Sequence, residues 1–288
     1  MRRTLVVLTL ALTATATAAN LTYLGPKGTY SDEAARLVAQ SGNWTTSTAT
    51  SITEVAQAVA AGQTDYGLLP IENSSGGYVV ETLGLLKTGL PKWRIIGEIA
   101  LPINNVLMAK PGTTLADVTT IVSHPQPFLQ SAGYLKANYP NVKRVEAKST
   151  AAAAEDVSKM PGNTAAAIAA PAAASVYGLV PLASAIQDDK RNTTKFWVVQ
   201  AGELPKTGAV NRAVVIHDLT RNTPTLSLLI TRMSALGFQV SSLTQSPSGE
   251  LGGARYVLVF DGSRGADMAA VRQALTPGST LLGAYTAP

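Results

Sequence analysis

The sequence predicts an α/β protein with two parts, a doubly wound domain of two lobes followed by a smaller ferredoxin-like domain. From residue 21 to residue 200, a strand, a polar turn and a helix recur in the same order, which is typical of doubly wound α/β domains. After residue 208 the predicted order becomes β-α-β-β-α-β, the order of a ferredoxin-like sandwich. With 288 residues, the chain is long enough for two separate cores.

The composition argues against several kinds of site. The chain has no cysteine, so disulfides, thiolate nucleophiles and cysteine metal ligands are excluded. Its two histidines, His124 and His217, are far apart in the sequence, so we expect no metal site. The net charge is +5, but the 23 basic residues are dispersed, which argues against a nucleic-acid partner. A small anionic ligand fits this pattern better.

Residues 1–19 have the layout of a secretory signal peptide. Two arginines precede an apolar run at residues 5–12 and a tract of small residues with an Ala-x-Ala sequence at 16–18. A buried first strand is the alternative interpretation. The combined pattern favours a signal that is cleaved near Ala18 or Ala19, so we expect export to the periplasm or the medium. No later stretch of the sequence is long and apolar enough to span a membrane.

Polar residues follow the first strands of the predicted doubly wound domain. The strand at residues 21–24 leads through a glycine turn to a helix that Thr29 can cap. A later strand ends near Pro70 and is followed by Asn73, Ser74 and two glycines in front of the next helix. Hydroxyls, amides and backbone N–H groups at a helix N-terminus can bind a carboxylate. These turns are therefore candidate anion sites, although each would also suit an ordinary capped helix.

The same arrangement recurs in a second lobe, predicted at about residues 103–180. Ser123 and His124 follow a strand, at the carboxyl end where open α/β sheets bind their ligands. Ser149 and Thr150 precede an alanine-rich helix and can cap it. His124 has no neighbouring group to pair with as a general base, so a structural hydrogen bond is its more usual role.

The segment at residues 186–195 concentrates polar chemistry at the start of a buried strand. It contains two acids, three bases and the adjacent hydroxyls of Thr193 and Thr194, directly before the apolar residues 196–199. Charge clusters of this kind are usually solvated turns. Together with the polar turns of both lobes, however, this cluster indicates one wall of a binding site.

Five segments together resemble the prephenate dehydratases in sequence, order and spacing. They are Tyr23-Leu-Gly-Pro-Lys-Gly-Thr-Tyr-Ser31, Pro70-Ile-Glu-Asn-Ser-Ser-Gly-Gly77, Val122-Ser-His-Pro125, Ser149-Thr150 and Asn192-Thr-Thr-Lys-Phe196. The resemblance covers about residues 21–286. It implies a two-lobed domain at residues 20–202, similar to type II periplasmic binding proteins, that holds the dicarboxylate prephenate between its lobes.

The resemblance also implies a reaction and the residues that take part in it. The family removes carbon dioxide and the ring hydroxyl from prephenate to give phenylpyruvate, with no metal and no organic cofactor. Thr194, the threonine of the family's N-x-T-R-F motif, is implied to assist loss of the ring hydroxyl. Lys195 replaces the arginine of this motif and keeps its charge without its two-pronged grip on a carboxylate. The implied substrate contacts are Thr29, Asn73, Ser74, Ser123, Thr150, Thr193 and Lys195.

The tail at residues 209–288 resembles the ACT domain that this family usually carries, after a linker at residues 203–208. We expect strand edges of this domain to pair two copies of the chain in a homo-oligomer. Its effector-binding segments read Pro224-Thr-Leu226 and Thr244-Gln-Ser-Pro247, where the family usually has G-A-L and E-S-R-P. These differences argue against phenylalanine as an effector.

Two functions from different classes fit the sequence. The first is an exported prephenate dehydratase of phenylalanine biosynthesis, or an enzyme that accepts the related arogenate. The second is an exported two-lobed protein that binds a small carboxylate, or an inactive sensor, which keeps the cleft but not the chemistry. The intact Thr194 favours the enzyme, whereas Lys195, the altered effector segments and the signal peptide favour the binding protein.

Overall fold

The fold is that of a computed structural model, which describes residues 18–87, 91–219, 225–246 and 253–287. Residues 1–17 of the predicted signal peptide lie outside these ranges, as do Pro224 and Pro247 of the two effector segments. Within the described ranges, no helix is long and apolar enough to cross a membrane.

The chain builds the first lobe, crosses to the second lobe, and returns. The first lobe contains β1 (Asn20–Leu24), α1 (Tyr30–Gly42), β2 (Thr45–Ala49), α2 (Ile52–Ala60), β3 (Tyr66–Asn73), β4 (Gly77–Tyr78), α3 (Val80–Gly84) and β5 (Trp93–Pro102). The second lobe contains β6 (Val106–Ala109), a 3₁₀ turn (Leu115–Asp117), β7 (Thr120–Ser123), α4 (Pro125–Gln130), α5 (Ala132–Asn138), β8 (Lys143–Glu146), α6 (Thr150–Lys159), β9 (Ala165–Ala169), α7 (Pro171–Tyr177) and β10 (Val180–Ala183). Strand β11 (Thr193–Ala201) returns to the first lobe.

The remaining elements form the C-terminal domain. They are β12 (Ala209–Leu219), α8 (Thr225–Ala235), β13 (Phe238–Ser246), β14 (Ala254–Asp267), α9 (Met268–Ala274) and β15 (Ser279–Tyr285). Their strands lie in the order β13-β14-β12-β15 with antiparallel neighbours, so the predicted ferredoxin-like architecture is confirmed.

Each lobe has its own sheet. The second-lobe sheet has the order β10-β6-β9-β7-β8. In the first lobe, β5-β11-β3-β1-β2 combines parallel pairs around β1 with antiparallel pairs on both sides of β11. A short parallel contact between Gly283 of β15 and Ile95 of β5 joins this sheet to that of the C-terminal domain. The predicted fold class, a two-lobed α/β domain followed by a ferredoxin-like domain, is therefore confirmed.

Two chain crossings connect the lobes and are hydrogen-bonded to each other. The buried Gln187 of the second crossing accepts a hydrogen bond from the backbone N–H of Asn105 (3.0 Å) and donates one to the carbonyl of Ile103 (2.8 Å) in the first crossing. The backbone N–H of Ile186 also donates to the carbonyl of Asn105 (3.0 Å). This paired connection places the start of β11 at the boundary between the lobes.

The C-terminal domain packs tightly against the first lobe. Trp197 and Val199 of β11 share a buried apolar cluster with Ile216 and Val257 of the C-terminal domain. Nearby, the Arg212 guanidinium contacts the Glu98 carboxylate at 2.5 Å (Nη1–Oε1), and both side chains are mostly buried. Apolar burial and a desolvated ion pair together fix the position of the domain.

Candidate active site

Two adjoining cavities lie between the lobes. The smaller, about 300 Å³, is lined by the turn after β1, by the starts of α4 and α6, and by Thr194; we call it the Thr194 cavity. The larger, about 510 Å³, is lined by Gly76, by α4 and by the segment from Gln187 to Asn192; we call it the Asn192 cavity. His124, Gln126 and Gln130 line both. Residues that are distant in sequence thus form one continuous cleft.

The β1–α1 turn forms one side of the Thr194 cavity. Thr29 caps α1, because its Oγ1 accepts a hydrogen bond from the backbone N–H of Asp32 (3.2 Å) and donates one to the carbonyl of Pro26 (3.1 Å). The buried carboxylate of Asp32 accepts hydrogen bonds from the Tyr23 hydroxyl (2.5 Å) and the backbone N–H of Gly28 (2.9 Å). These bonds hold the turn rigidly and place the N-terminus of α1 against the cavity.

Glycine is required at position 28 of this turn. Gly28 has φ of +85°, a conformation that side chains rarely adopt, and a Cβ there would lie 3.1 Å from the Cα of Ala173 in the second lobe. The Tyr177 hydroxyl donates to the carbonyl of Lys27 at 3.1 Å. The turn therefore brings the two lobes into direct contact beside the cleft.

Asn73 fixes the orientation of Thr194. The Oδ1 atom of Asn73 accepts hydrogen bonds from the backbone N–H groups of Ser75 (3.1 Å) and Gly76 (2.8 Å). Because backbone N–H groups can only donate, the amide NH₂ of Asn73 must face the other way. There it donates to the Oγ1 of Thr194 (2.9 Å) and to the Oδ1 of Asn192 (2.8 Å). The Thr194 Oγ1 is thus already an acceptor, which leaves its own proton available to a ligand in the cavity that Thr194 lines.

The cleft brings together four of the eight residues that the sequence analysis named. Thr29, Asn73, Thr150 and Thr194 all line the Thr194 cavity. Ser149, which lines the same cavity, caps α6 by accepting a hydrogen bond from the backbone N–H of Ala152 (3.0 Å). Direct contact of these residues with a substrate stays a prediction.

Three hydroxyl residues that the sequence analysis named do not line either cavity. Ser123 is fully buried, and its hydroxyl donates to the carbonyl of Ile168 (2.8 Å) inside the second lobe. The Oγ of Ser74 accepts from the backbone N–H of Thr193 (3.0 Å), and the hydroxyl of Thr193 donates to the carbonyl of Arg191 (2.9 Å). These hydroxyls hold the surrounding backbone, so in this structure they support the walls of the cleft without facing it.

Lys195 faces away from the cleft, contrary to its expected place as a substrate contact. Neighbouring side chains of a strand point to opposite faces, so Thr194 and Lys195 of β11 cannot both face the cavity. Lys195 instead lines a small cavity against the C-terminal domain, together with Glu72, Glu98 and Ser242. The substitution of the family's arginine therefore lies outside the cleft.

Sequence reasoning missed Lys148, which precedes the cap of α6 and lines the Thr194 cavity. Among the described residues that line the two cavities, it is the only lysine or arginine. Its position directly before Ser149 and Thr150 was the available signal, because a cation beside a helix N-terminus suits a carboxylate. No cluster of potential metal ligands occurs among the described residues.

Tyr30 links the two sides of the cleft. Burial raises the pKa of its hydroxyl, which therefore stays protonated and donates to the Oδ1 of the buried Asn105 (2.7 Å). Asn105 lies in the first crossing between the lobes, and its amide reaches Ser131 of the second lobe (3.3 Å). The polar wall of the cavity is therefore continuous with the crossing segments.

A two-lobed fold whose cleft presents capped helix ends, hydroxyls, amides and one lysine defines a protein that binds a small anion. The chain belongs to the prephenate dehydratase family, whose model matches residues 21–203. A prephenate dehydratase of Mycolicibacterium gilvum (strain PYR-GCK) is 34% identical over 254 residues, which cover 84% of this chain and 81% of that protein.

Solved structures that are similar to this chain share its fold over most of its length. A crystal structure of prephenate dehydratase from Arthrobacter aurescens in complex with L-Phe has 31% identity and a TM-score of 0.79, and covers 93% of this chain and 90% of that chain. A structure described as a novel type of quorum-quenching acylase has 25% identity and a TM-score of 0.78, and covers 93% and 98%. Because proteins of different stated activity share the fold, the function has to be argued from the cleft.

Proposed function

We propose that this chain is a prephenate dehydratase, which converts prephenate to phenylpyruvate, carbon dioxide and water. The observation that carries the proposal is the Thr194 hydroxyl, which lines a cleft between two lobes and accepts a hydrogen bond from Asn73, so that its own proton is available to a substrate. Family membership supports the same reaction. Arogenate, which has an amino group in the side chain, is an alternative substrate of the same type.

The cleft offers suitable groups for a dicarboxylate. Lys148 and the N-termini of α1 and α6 lie around the Thr194 cavity, where they can bind carboxylate oxygens. The formation of an aromatic ring provides the driving force, so the protein mainly has to orient the substrate and stabilise the departing oxygen. A threonine hydroxyl is a poor acid, so Thr194 acts by donating a hydrogen bond rather than by transferring its proton.

Loss of the Thr194 hydroxyl tests the proposal. We expect Thr194→Ala to lower kcat for phenylpyruvate formation by about 100-fold to 1000-fold, the usual effect of removing one transition-state donor. Thr194→Ser keeps the hydroxyl and should retain most of the activity. The uncatalysed aromatisation of prephenate must be subtracted. Wild-type protein that binds prephenate without turnover would instead support the binding-protein alternative, and hydrolysis of an N-acyl substrate would support an acylase.

The position of Lys195 weakens the binding-protein alternative. The arginine-to-lysine change was one of its supports, because a weakened grip on substrate would suit a protein that has lost its activity. Lys195 lies on the other face of β11 from Thr194, so the change leaves the lining of the cleft intact.

We propose that the C-terminal domain is an ACT domain through which two copies of the chain associate. Within the part of the chain that the structure describes, its edge strand β13 pairs only with β14, and it exposes Val240 (37%) and Leu243 (49%). Pairing of two such edges would bury both side chains. Light scattering should give twice the chain mass, and Leu243→Lys should shift the protein toward monomer.

Regulation by phenylalanine is a separate question within the proposal of an ACT domain. The L-Phe complex of the Arthrobacter aurescens relative weakens the expectation that the altered segments abolish binding. Titration calorimetry with L-Phe, followed by activity assays in its presence, decides between retained and lost regulation.

We propose that residues 1–19 direct export and are then removed. Strand β1 begins at Asn20, directly after the predicted cleavage site, so cleavage leaves every described strand intact. Mass spectrometry of protein recovered from the periplasm or the medium should find an N-terminus near Ala19 or Asn20. Retention of the full-length chain inside the cell would contradict this proposal.

A further inference from the structure

The proposed reaction creates charge on the departing oxygen, which calls for more than one hydrogen-bond donor. The bond between the ring carbon and the hydroxyl breaks with its electron pair going to oxygen. At the same time the bond to the ring carboxylate breaks, its electron pair forms the new ring double bond, and carbon dioxide leaves. Preorganised donors aimed at developing charge are usually the largest contribution to catalysis. Thr194 supplies one such donor.

His124 is placed to supply a second donor. Its side chain lines both the Thr194 cavity and the Asn192 cavity, and therefore lies at their junction. At the start of α4, its Nδ1 accepts a hydrogen bond from the backbone N–H of Gln126 (3.3 Å). A ring nitrogen that accepts a hydrogen bond does not carry a proton, so the proton of the neutral ring lies on Nε2.

The Nε2–H of His124 is free to bind a ligand. No residue that the structure describes makes a hydrogen bond to it, and the side chain is partly exposed at the cleft. The capping bond of Nδ1 fixes both the tautomer and the direction of the ring. The structural hydrogen bond that the sequence favoured for this histidine is therefore compatible with a second role in the cleft.

The charges of the cleft indicate which substrate oxygen meets His124. Lys148 lines only the Thr194 cavity, whereas Asp188 and Asp189 line only the Asn192 cavity. Substrate carboxylates are attracted to Lys148 and repelled by Asp188, whose carboxylate accepts from the backbone N–H groups of Gly133 (2.9 Å) and Tyr134 (3.3 Å), whereas Asp189 is ion-paired with Arg191 (3.2 Å). An oxygen at the junction is therefore the uncharged hydroxyl, which can depart toward the larger cavity as water.

We infer that His124 donates a hydrogen bond from Nε2 to the ring hydroxyl as it leaves, as a second donor beside Thr194. This inference rests on the proposed function. His124 donates this hydrogen bond without transferring its proton, and the departing hydroxide is protonated by solvent. His124 is then a catalytic residue that contacts the reacting oxygen, in addition to capping α4.

Two substitutions distinguish the proposed hydrogen-bond donation by His124 from its capping of α4. His124→Gln places an amide N–H near the position of Nε2, whereas His124→Asn can still cap α4 but is too short to reach the substrate. We expect His124→Asn to keep the melting temperature and KM near wild type and to lower kcat about 100-fold, the scale for one lost donor. We expect His124→Gln to retain kcat within about tenfold of wild type on the same scale.

Three results would overturn the inference. One is wild-type kcat in His124→Asn, and another is equal loss of kcat in both variants at unchanged melting temperature. The third is a raised KM with unchanged kcat, which would place His124 at a carboxylate. A wild-type protein without turnover would refute the proposed function itself, whereas active wild type with an equally active His124→Asn refutes only the inference.

Product binding provides an independent test. Phenylpyruvate keeps the side-chain carboxylate but has lost the ring hydroxyl, so its Kd should be equal for wild type and His124→Asn. Titration calorimetry measures both values. A Kd at least about tenfold weaker in the variant, about 1.4 kcal/mol, would show that His124 contacts a group that persists in the product and would overturn the assignment.

Discussion

Asn73→Asp is the sharpest perturbation of the arrangement around Thr194. The substitution conserves shape, and the retained oxygen can still accept the backbone N–H groups of Ser75 and Gly76. It replaces the donating NH₂ by an oxygen that faces the Oδ1 of Asn192 and the Oγ1 of Thr194. The Thr194 hydroxyl would then donate to the new carboxylate, and its proton would no longer be available to a ligand in the cavity.

The size of the effect follows from the bonds that change. The NH₂ of Asn73 donates to Asn192 (2.8 Å), to Thr194 (2.9 Å) and, more weakly, to the carbonyl of Thr193 (3.4 Å), and all three bonds are lost. The Thr194 hydroxyl and, after rotation of its amide, the NH₂ of Asn192, which has no partner among the described residues, can donate to the new carboxylate instead. A net hydrogen bond contributes about 1 kcal/mol, so we expect the free energy of unfolding to fall by about 1 to 2 kcal/mol. Since the donor at the leaving oxygen is also lost, kcat should fall by at least about 100-fold.

Urea unfolding and initial rates of phenylpyruvate formation measure the two effects. Asn163→Asp is a matched control, because Asn163 lies exposed in a turn of the second lobe and the change adds the same charge. We expect this control to keep wild-type stability and rate. Wild-type kcat in Asn73→Asp, with folded protein, would refute the role of Asn73 in orienting Thr194.

Three further predictions concern the lysines, the domain contact and pH. Lys148→Ala should raise KM for prephenate about tenfold or more, because it removes a charged partner of a substrate carboxylate. In the same rate assay, Lys195→Arg should leave kcat/KM nearly unchanged. Arg212→Met leaves the buried Glu98 carboxylate without its cationic partner, with only the Tyr285 hydroxyl (3.0 Å) still donating to it among the described residues, and should lower the free energy of unfolding by about 3 kcal/mol in urea titrations. Burial lowers the pKa of His217 below its ordinary value of about 6.5. The stability that the neutral ring contributes is therefore present above about pH 6.5 and is lost as the pH falls below this value. In thermal melts, His217→Gln should remove this dependence on pH.

Periodicity and turn chemistry predicted most of the fold. The capped start of α1 and the order of elements in the C-terminal domain follow directly from local sequence. Strand β2 could not be predicted, because Thr45–Ala49 contains four polar residues in succession and no apolar alternation. It forms because the parallel edge of β1 supplies backbone partners along its whole length. Tertiary pairing, rather than propensity, determines this strand.

The site was predictable at its turns and less so in its side-chain directions. Thr29, Asn73 and Thr150 were found because strand ends and helix caps converge in this class of fold, whereas Thr194 was found through the family motif that it matches. Ser123 was expected at the cleft for the same reason, yet its hydroxyl turns back to a carbonyl of the neighbouring strand. Which face a terminal residue presents depends on register, and the sequence alone does not specify the register of β7.

Strand β11 explains why two adjacent residues of one motif belong to different sites. Thr194 pairs with Asn73 and Lys195 with Glu72 on β3, so the same register that orients the Thr194 hydroxyl directs Lys195 toward the C-terminal domain. The pairing of β11 with β3 shifts its register between Lys195 and Phe196. The register of Thr194 and Lys195 therefore differs from that of the rest of the strand. A substitution that weakens the contact between β11 and the C-terminal domain would therefore disturb the Asn73–Thr194 hydrogen bond, although the substituted residue does not line the cleft. For this reason we expect substitutions that remove contacts on the Lys195 face, unlike the conservative Lys195→Arg, to affect kcat, through the position of Thr194, more than KM.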